Sequence, residues 1–400
     1  MSAHTFDTAG MQQCPFMPVF GAPALSMERG LGTEVWDTSG KRYLDFLSGI
    51  AVVSLGHSNP VVAEAISRQA STLLHVSNFF TNPQATAAAV KINELLLGAT
   101  GQHGQIFFTN SGAEANECAL KLARKFGGRG RHTVVSALGS FHGRTLATLA
   151  ATGQPAKHEP FFPMPDGFRH VGWGDLDALR ASVDGTVAAV LIEPIQGEGG
   201  VIPAPAGYLE GVRALCDEVG ALMMVDEIQT GLGRTGNWFG FEASGVVPDV
   251  VTMAKALGNG MPVGACWART EIAAVFQPGD HGSTYSGTAI ATAAVSAVID
   301  EMRRIDAPAL AARKGAALTD KLLALPQVSS VRGAGLILGV QLVDGIDAPA
   351  VYQALLADGF ICNAVNASTL RLLPPFTVTD EEIDEAVGKI ATALANAAAS

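Results

Sequence analysis

Short unbroken apolar runs punctuate the middle of the chain, and segments of helical period separate them. The runs cover residues 106–109, 133–136, 187–192, 221–225 and 250–253. Residues 114–126 and 208–219 carry helical spacing, and in the second Leu209, Val212 and Leu215 share one face. Continuous rather than alternating apolar runs belong to strands covered on both sides. With helices between them they predict an α/β fold built on a mostly parallel sheet.

The last third has a different texture. Helices are expected over 291–304 and 308–325, with a strand over 335–343. A final helix is predicted to open at Thr379, with Glu382 three residues on as a capping box and Ile383, Val387, Ile390 and Leu394 as its apolar stripe. This reads as a second, smaller α/β layer. Near the N-terminus, residues 36–46 predict a hairpin turning on Asp37-Thr38-Ser39-Gly40, placed to pack with the C-terminal part. The expected organisation is an N-terminal segment at 1–55 that joins the small domain, a large domain at 56–290 and the small domain at 291–400.

Composition narrows the function classes. The chain has 400 residues, 48% hydrophobic and only 16% charged, which argues against disorder. A net charge of −11 makes a nucleic-acid or anionic-membrane partner a poor expectation. Cys14, Cys118, Cys216, Cys266 and Cys362 are widely spaced with no C-x-x-C pair, so they read as small core residues in a reducing, cytoplasmic setting rather than as disulfides or a zinc site. The start of the chain, with His4 and Asp7, has no apolar core of a signal peptide. No apolar run is long enough to span a bilayer.

Three groups at strand ends could carry chemistry. Asn110-Ser111-Gly112-Ala113-Glu114 follows one strand and opens a helix, whose free N–H groups suit a phosphate. Asp226 and Glu227 follow another strand and should face different surroundings. Lys255 ends a third, ahead of Gly258, Gly260 and Gly264, and a desolvated lysine there becomes an amine nucleophile. Taken alone, each has a bland reading as a helix cap, a wet strand end or a solvated lysine. Together they are what pyridoxal 5′-phosphate needs: a phosphate cradle, a partner for the ring nitrogen and a Schiff-base amine.

From about residue 28 onward, ordered stretches carry a specific resemblance. They include Leu44-Asp45-Phe46-Leu47-Ser48-Gly49, Ser140-Phe141-His142-Gly143-Arg144-Thr145, Glu193-Pro194-Ile195-Gln196-Gly197-Glu198-Gly199, Asp226 to Gly236, Lys255 to Gly264, His281-Gly282-Ser283-Thr284-Tyr285 and Arg371-Leu372-Leu373-Pro374-Pro375. On these the chain resembles the class-III pyridoxal-phosphate aminotransferases of fold type I, most of all their acetylornithine branch.

The resemblance implies the site residues one by one. Lys255 is the Schiff-base lysine and proton shuttle, and Asp226 pairs with the pyridinium nitrogen. Ser111, Gly112 and Ala113 cradle the phosphate, Phe141 stacks on the ring and Gln229 touches its 3′-oxygen side. Thr284 reaches the phosphate of a neighbouring subunit, which implies a homodimer with shared sites. Ser283 lies near substrate, Arg144 binds the distal carboxylate and Arg371 the α-carboxylate of 2-oxoglutarate. Glu198 is a gate that neutralises Arg371 for terminal-amine donors. The implied reaction moves an amine from N²-acetyl-L-ornithine to 2-oxoglutarate by a ping-pong route. Succinylornithine, succinyl-diaminopimelate, ornithine, 4-aminobutyrate and broad ω-amine donors stay open as alternatives.

Three positions depart from the family pattern. Ala113 stands where many relatives have Thr, Val53 where Asn is frequent, and Ser286-Gly287-Thr288 replaces a Gly-Gly-Asn. Gly231-Leu232-Gly233-Arg234-Thr235-Gly236 is a literal G-x-G-x-x-G that would suit an NAD-dependent oxidoreductase. A dinucleotide site needs a helix next, whereas Asn237-Trp238-Phe239 follows with Pro248 soon after, so it is expected to be a tight loop. The histidines, His142 among them, lack metal-ligand spacing. A non-catalytic binding protein is the remaining alternative, and Lys255 together with Asp226 argues against it.

Overall fold

The computed structural model describes residues 17, 19, 20, 23 and 25–398, so the expectations on His4, Asp7 and Cys14 lie outside the described residues. At its centre is a seven-stranded sheet. Its order is Gly104–Thr109, Gly264–Arg269, Val250–Met253, Leu222–Asp226, Val187–Ile192, Thr133–Ala137 and Phe168–Val171. Six strands are parallel, and Gly264–Arg269 runs against both neighbours. Every residue of Val187–Ile192, Leu222–Asp226 and Val250–Met253 is buried, which is why these strands read as continuous apolar runs. The antiparallel strand was not expected. Gly264, named above only as a glycine following Lys255, opens this strand: a Cβ there would stand 2.5 Å from Thr109 Oγ1 and 2.6 Å from the Ser111 carbonyl.

Register brings the site together. Val225 lies opposite Ile192 and Asp226 opposite Thr252. The chain therefore leaves the sheet for Glu193, Glu227 and Lys255 at one common end, where ligands gather in open α/β sheets. Gly264 lies opposite Thr109, which brings the Ser111 turn to the same end.

The helix Gly112–Gly127 starts there. Ser111 Oγ accepts from Glu114 N at 3.2 Å, but the Glu114 carboxylate reaches one residue further back, to Asn110 N at 2.9 Å. The final helix, Asp380–Ala398, closes the reciprocal box instead: Thr379 Oγ1 accepts from Glu382 N and Thr379 N donates to Glu382 Oε2. Such a cap is worth about 1 kcal/mol.

The hairpin forms from Glu34–Asp37 and Arg42–Asp45, with Asp37 Oδ1 accepting from Ser39 N and Lys41 N across its turn. Arg42–Asp45 pairs in parallel with Phe360–Ile361, which joins this N-terminal segment to the C-terminal region in one sheet. The strand expected over 335–343 is Ile337–Leu342. It belongs to a second four-stranded sheet with Val328–Ala334, Thr369–Leu372 and Asn363–Asn366. The helix Ala289–Arg304 packs on Pro60–Ala70 and Pro83–Thr100. Its alanines keep the three helices close, with Ala291, Ala294, Val298 and Met302 buried. Cys118, Cys216, Cys266 and Cys362 are free and buried. No helix among the described residues is long and apolar enough to cross a membrane.

Candidate active site

A cavity of about 390 Å³ opens at the common end of the strands. Asn110, Ser111, Gly112, Ala113, Phe141, His142, Arg144, Glu193, Glu198, Asp226, Ile228, Gln229 and Lys255 line it, with Val52 closing one side. The structure thus gathers nine expected residues around one space: Ser111, Gly112, Ala113, Phe141, Arg144, Glu198, Asp226, Gln229 and Lys255. Arg371 stands just behind, bonded to two of them. Ser283 and Thr284 do not line it. Ser283 Oγ accepts from Asn110 Nδ2 at 3.1 Å, and Thr284 is exposed.

Asp226 is 4% exposed and its carboxylate is held from three sides. Oδ2 accepts from Asn116 Nδ2 and from His142 Nδ1, each at 2.8 Å, and Oδ1 accepts from Ile228 N at 3.1 Å. Asn116 is fixed in turn, donating to the His142 carbonyl and accepting from Thr252 Oγ1, both at 2.8 Å. His142 Nδ1 donates to the carboxylate, which can only accept, and its Nε2 is buried without a partner among the described residues. His142 was considered only as a metal ligand and Asn116 not at all. Their link to Asp226 spans 84 and 110 residues, which no local pattern reports.

Glu227 faces the opposite way, as alternation along a strand requires. It is buried, accepts from Gly240 N, Phe241 N and Thr230 Oγ1, and burial pushes its pKa up to about 7. Gly112 was read as room for a ligand. The structure gives another reason for it: a Cβ there would meet Ile228 Cδ1 at 2.7 Å.

Lys255 has φ 44°, left-handed backbone that a non-glycine residue adopts only when its surroundings impose it. Burial, then the nearby Arg371 charge, push its ammonium down to about 8, against the pull of Glu198, Asp226 and Glu193. Burial also pushes Glu193 up to about 7, and its Oε2 accepts from Phe141 N at 3.1 Å. That bond holds the backbone that carries the Phe141 ring, so Glu193 is a further residue that the sequence reading had left without a role.

Arg371 is fully buried. Nη1 donates to Glu198 Oε1 at 2.7 Å and Nε to Asn363 Oδ1 at 3.1 Å, with Gln229 Oε1 at 3.4 Å. Burial pulls the Glu198 carboxyl up, but the touching Arg371 outweighs it and holds the group below the ordinary range.

The glycine loop carries no phosphate cradle. Turns follow the strand, and Arg234 is wholly buried. It donates to the Leu336 carbonyl at 3.0 Å and to Ser54 Oγ at 2.6 Å, and burial pushes its pKa down to about 9. Its work is to tie this loop to the C-terminal sheet.

Residues 19–394 match the model of the family described as Aminotransferase class-III. The chain belongs to the class-III aminotransferases. An acetylornithine aminotransferase from Corynebacterium efficiens is 47% identical over 388 residues, 94% of each chain. One from Streptomyces coelicolor is 45% identical, covering 96% of this chain and 95% of its own. Among solved structures, the N-acetylornithine aminotransferase of Stenotrophomonas maltophilia superposes with a TM-score of 0.82 at 34% identity, over 94% of this chain and 97% of that one. The ornithine aminotransferase of Toxoplasma gondii gives 0.90 at 32%, over 97% and 94%.

Proposed function

We propose that this chain transfers the terminal amine of N²-acetyl-L-ornithine to 2-oxoglutarate, giving N-acetyl-L-glutamate 5-semialdehyde and L-glutamate, a step of arginine biosynthesis. The observation that carries the reading is the Glu198–Arg371 pair at 2.7 Å beside Lys255. It neutralises the arginine that would otherwise demand a carboxylate at the reacting carbon. A terminal amine, with no carboxylate on that carbon, fits such a pocket. Relatives named acetylornithine aminotransferase, at 43–47% identity, support this donor over others.

The donor set fits pyridoxal 5′-phosphate. Gly112 and Ala113 at the start of a 16-residue helix, with Ser111 beside them, offer N–H and O–H groups suited to its phosphate. Asp226 suits its ring nitrogen, Gln229 the ring's oxygen side, Phe141 the ring face and Lys255 the aldehyde. Bound there, the cofactor supplies an electrophilic carbon and a protonated ring that takes up electrons. Asp226 holds the proton on the ring nitrogen through a charge-assisted hydrogen bond. Lys255, its ammonium pushed down to about 8 by burial, would take the proton from the donor carbon at Nζ and carry it to the cofactor's electrophilic carbon. Arg144 grips the carboxylate farthest from that carbon. In the second half-reaction, the α-carboxylate of 2-oxoglutarate competes with Glu198 for Arg371, whose planar fork matches it. One pocket thereby serves two unlike substrates.

The working unit is a homodimer in this reading. Phe79 and Phe80 are 92% and 69% exposed and Tyr285 60%, an apolar surface that a second copy would cover. Asn78 and Asn82 lace this segment to the Ser283 and Gly287 carbonyls. Thr284, exposed and outside its own cavity, would serve the phosphate bound by the other copy, with Ser283 near its substrate. In this reading residues 56–290 are the cofactor-binding body, and the described residues of the N-terminal segment up to 55 pack with the C-terminal small domain from 291 on, an organisation supported by the Arg42–Asp45 pairing with Phe360–Ile361. Four buried free thiols support a reducing, cytoplasmic setting. A donor panel with 2-oxoglutarate tests the substrate. Acetylornithine should exceed ornithine and 4-aminobutyrate in kcat/KM by at least about tenfold, the scale of one well-made charged hydrogen bond. Preference for either competitor would overturn the assignment.

A further inference from the structure

Phe141 carries two cations on one ring. Arg144 Cζ lies 5.5 Å from the ring centroid and Lys157 Nζ 5.2 Å. The two charges are therefore no farther apart than the sum of those distances. Neither makes an ion pair or hydrogen bond to a side chain among the described residues, although the chain has an excess of 11 negative charges. Phe141, Arg144 and Glu198 line the cavity, and Lys157, which does not line it, lies against the Phe141 ring.

The position of Lys157 is built. It sits on the short helix Pro155–His158, anchored on both sides: Gln154 Nε2 donates to the Ser140 carbonyl at 2.9 Å, and His158 Nε2 donates to the Thr152 carbonyl at 2.7 Å. The first bond ties the helix to the turn that carries Phe141, the second to the end of the helix Leu146–Ala151. Burial and repulsion from Arg144 push the Lys157 ammonium down, while Glu198 pulls it up. Two like charges held against one ring, without a carboxylate of their own among the described residues, are stabilised when an anion comes within reach of both. Arginine supplies a rigid fork, and lysine a point charge on a flexible stem. That combination grips one carboxylate while tolerating substrates of different length.

We propose that Lys157 is a specificity-determining residue that acts with Arg144 on the substrate carboxylate farthest from the reacting carbon, in both acetylornithine and 2-oxoglutarate. This rests on the assignment of Arg144 made above. No local motif announces Lys157; only its approach to Phe141 does.

The test uses the holoenzyme with Lys157→Met, which keeps the apolar stem, Lys157→Arg, which restores the charge, and Arg144→Ala in parallel. Glutarate, a dicarboxylate that cannot react, is titrated calorimetrically, and steady-state constants are measured for acetylornithine, 2-oxoglutarate and 1,4-diaminobutane, a donor without a carboxylate. Lys157→Met should weaken glutarate binding and raise both KM values by about five- to tenfold, the lower end for a charged hydrogen bond at a partly open site. The preference for acetylornithine over the diamine should fall by a similar factor, and Lys157→Arg should recover most of each loss. If Arg144→Ala weakens glutarate and Lys157→Met does not, Lys157 has no such role while the reading of Arg144 stands. If neither weakens glutarate, the distal-carboxylate site lies elsewhere and both assignments fall. An equal loss with the diamine would make Lys157 a structural residue and overturn the proposal.

Discussion

The two ends of the cavity are built on opposite plans. At Asp226 the polar groups are nearly all committed: three N–H donors converge on one carboxylate, Asn116 braces two of its neighbours, and among the described residues there only His142 Nε2 lacks a partner. At the other end Arg144 and Lys157 share a ring and pair with no carboxylate among the described residues. Between them lies a single charged latch, Arg371 fully buried and the Glu198 side chain 30% exposed. The contrast teaches a division of labour. The end that must hold a cofactor ring is fixed before anything binds, as electrostatic preorganisation requires. The end that must accept two different substrates is completed by the substrate itself.

Breaking the fixed end should have the largest effect. Asp226→Asn keeps the shape but removes the charge from a hydrogen bond worth about 1.5–3 kcal/mol, so kcat should fall about ten- to a hundredfold at every pH. A loss below threefold would mean that the ring nitrogen is not served by this carboxylate. The neighbouring lysine gives a gentler probe. Its pKa is depressed to about 8, so it becomes neutral as pH rises through 8, well before an ordinary lysine would. The rate at which cofactor-free protein recaptures pyridoxal phosphate should therefore rise about tenfold between pH 7 and 9 and then level off. A rate still climbing steeply from pH 9 to 10.5 would contradict the depressed value. The latch should give the smallest shift. Glu198→Ala frees Arg371 permanently, and the ratio of glutamate to acetylornithine use as donor should rise about fivefold, as for a partly exposed charged pair. An unchanged ratio would remove the gate.

Legibility followed burial. Strands covered on both faces announced themselves as apolar runs, and Val187–Ile192 and Val250–Met253 match the expected bounds. Gly264–Arg269 was invisible because glycines precede it and its Gly, Ala and Cys are chosen for close approach. Val328–Ala334 has two exposed residues near its start and a bulge, so its period is blurred. Among site residues, those at strand ends and helix starts, Lys255, Asp226 and Ser111, could be found from position alone. Arg144, Glu198 and Arg371 needed the family resemblance. Asn116, His142 and Glu193 act through partners far along the chain, and Lys157 through the Phe141 ring without any motif, so only the folded molecule brings them together. The G-x-G-x-x-G loop shows the converse: its glycines invite a phosphate on paper, and the fold fills the space with the buried Arg234.

The central claim is that Lys255 is the amine that captures the cofactor. Borohydride reduction of the yellow holoenzyme, followed by digestion and mass spectrometry, tests it directly. The account predicts one pyridoxyl-phosphate group per chain, on the peptide containing Lys255. A stoichiometric adduct on any other lysine, Lys157 included, or no adduct in a protein that still transaminates, would contradict it.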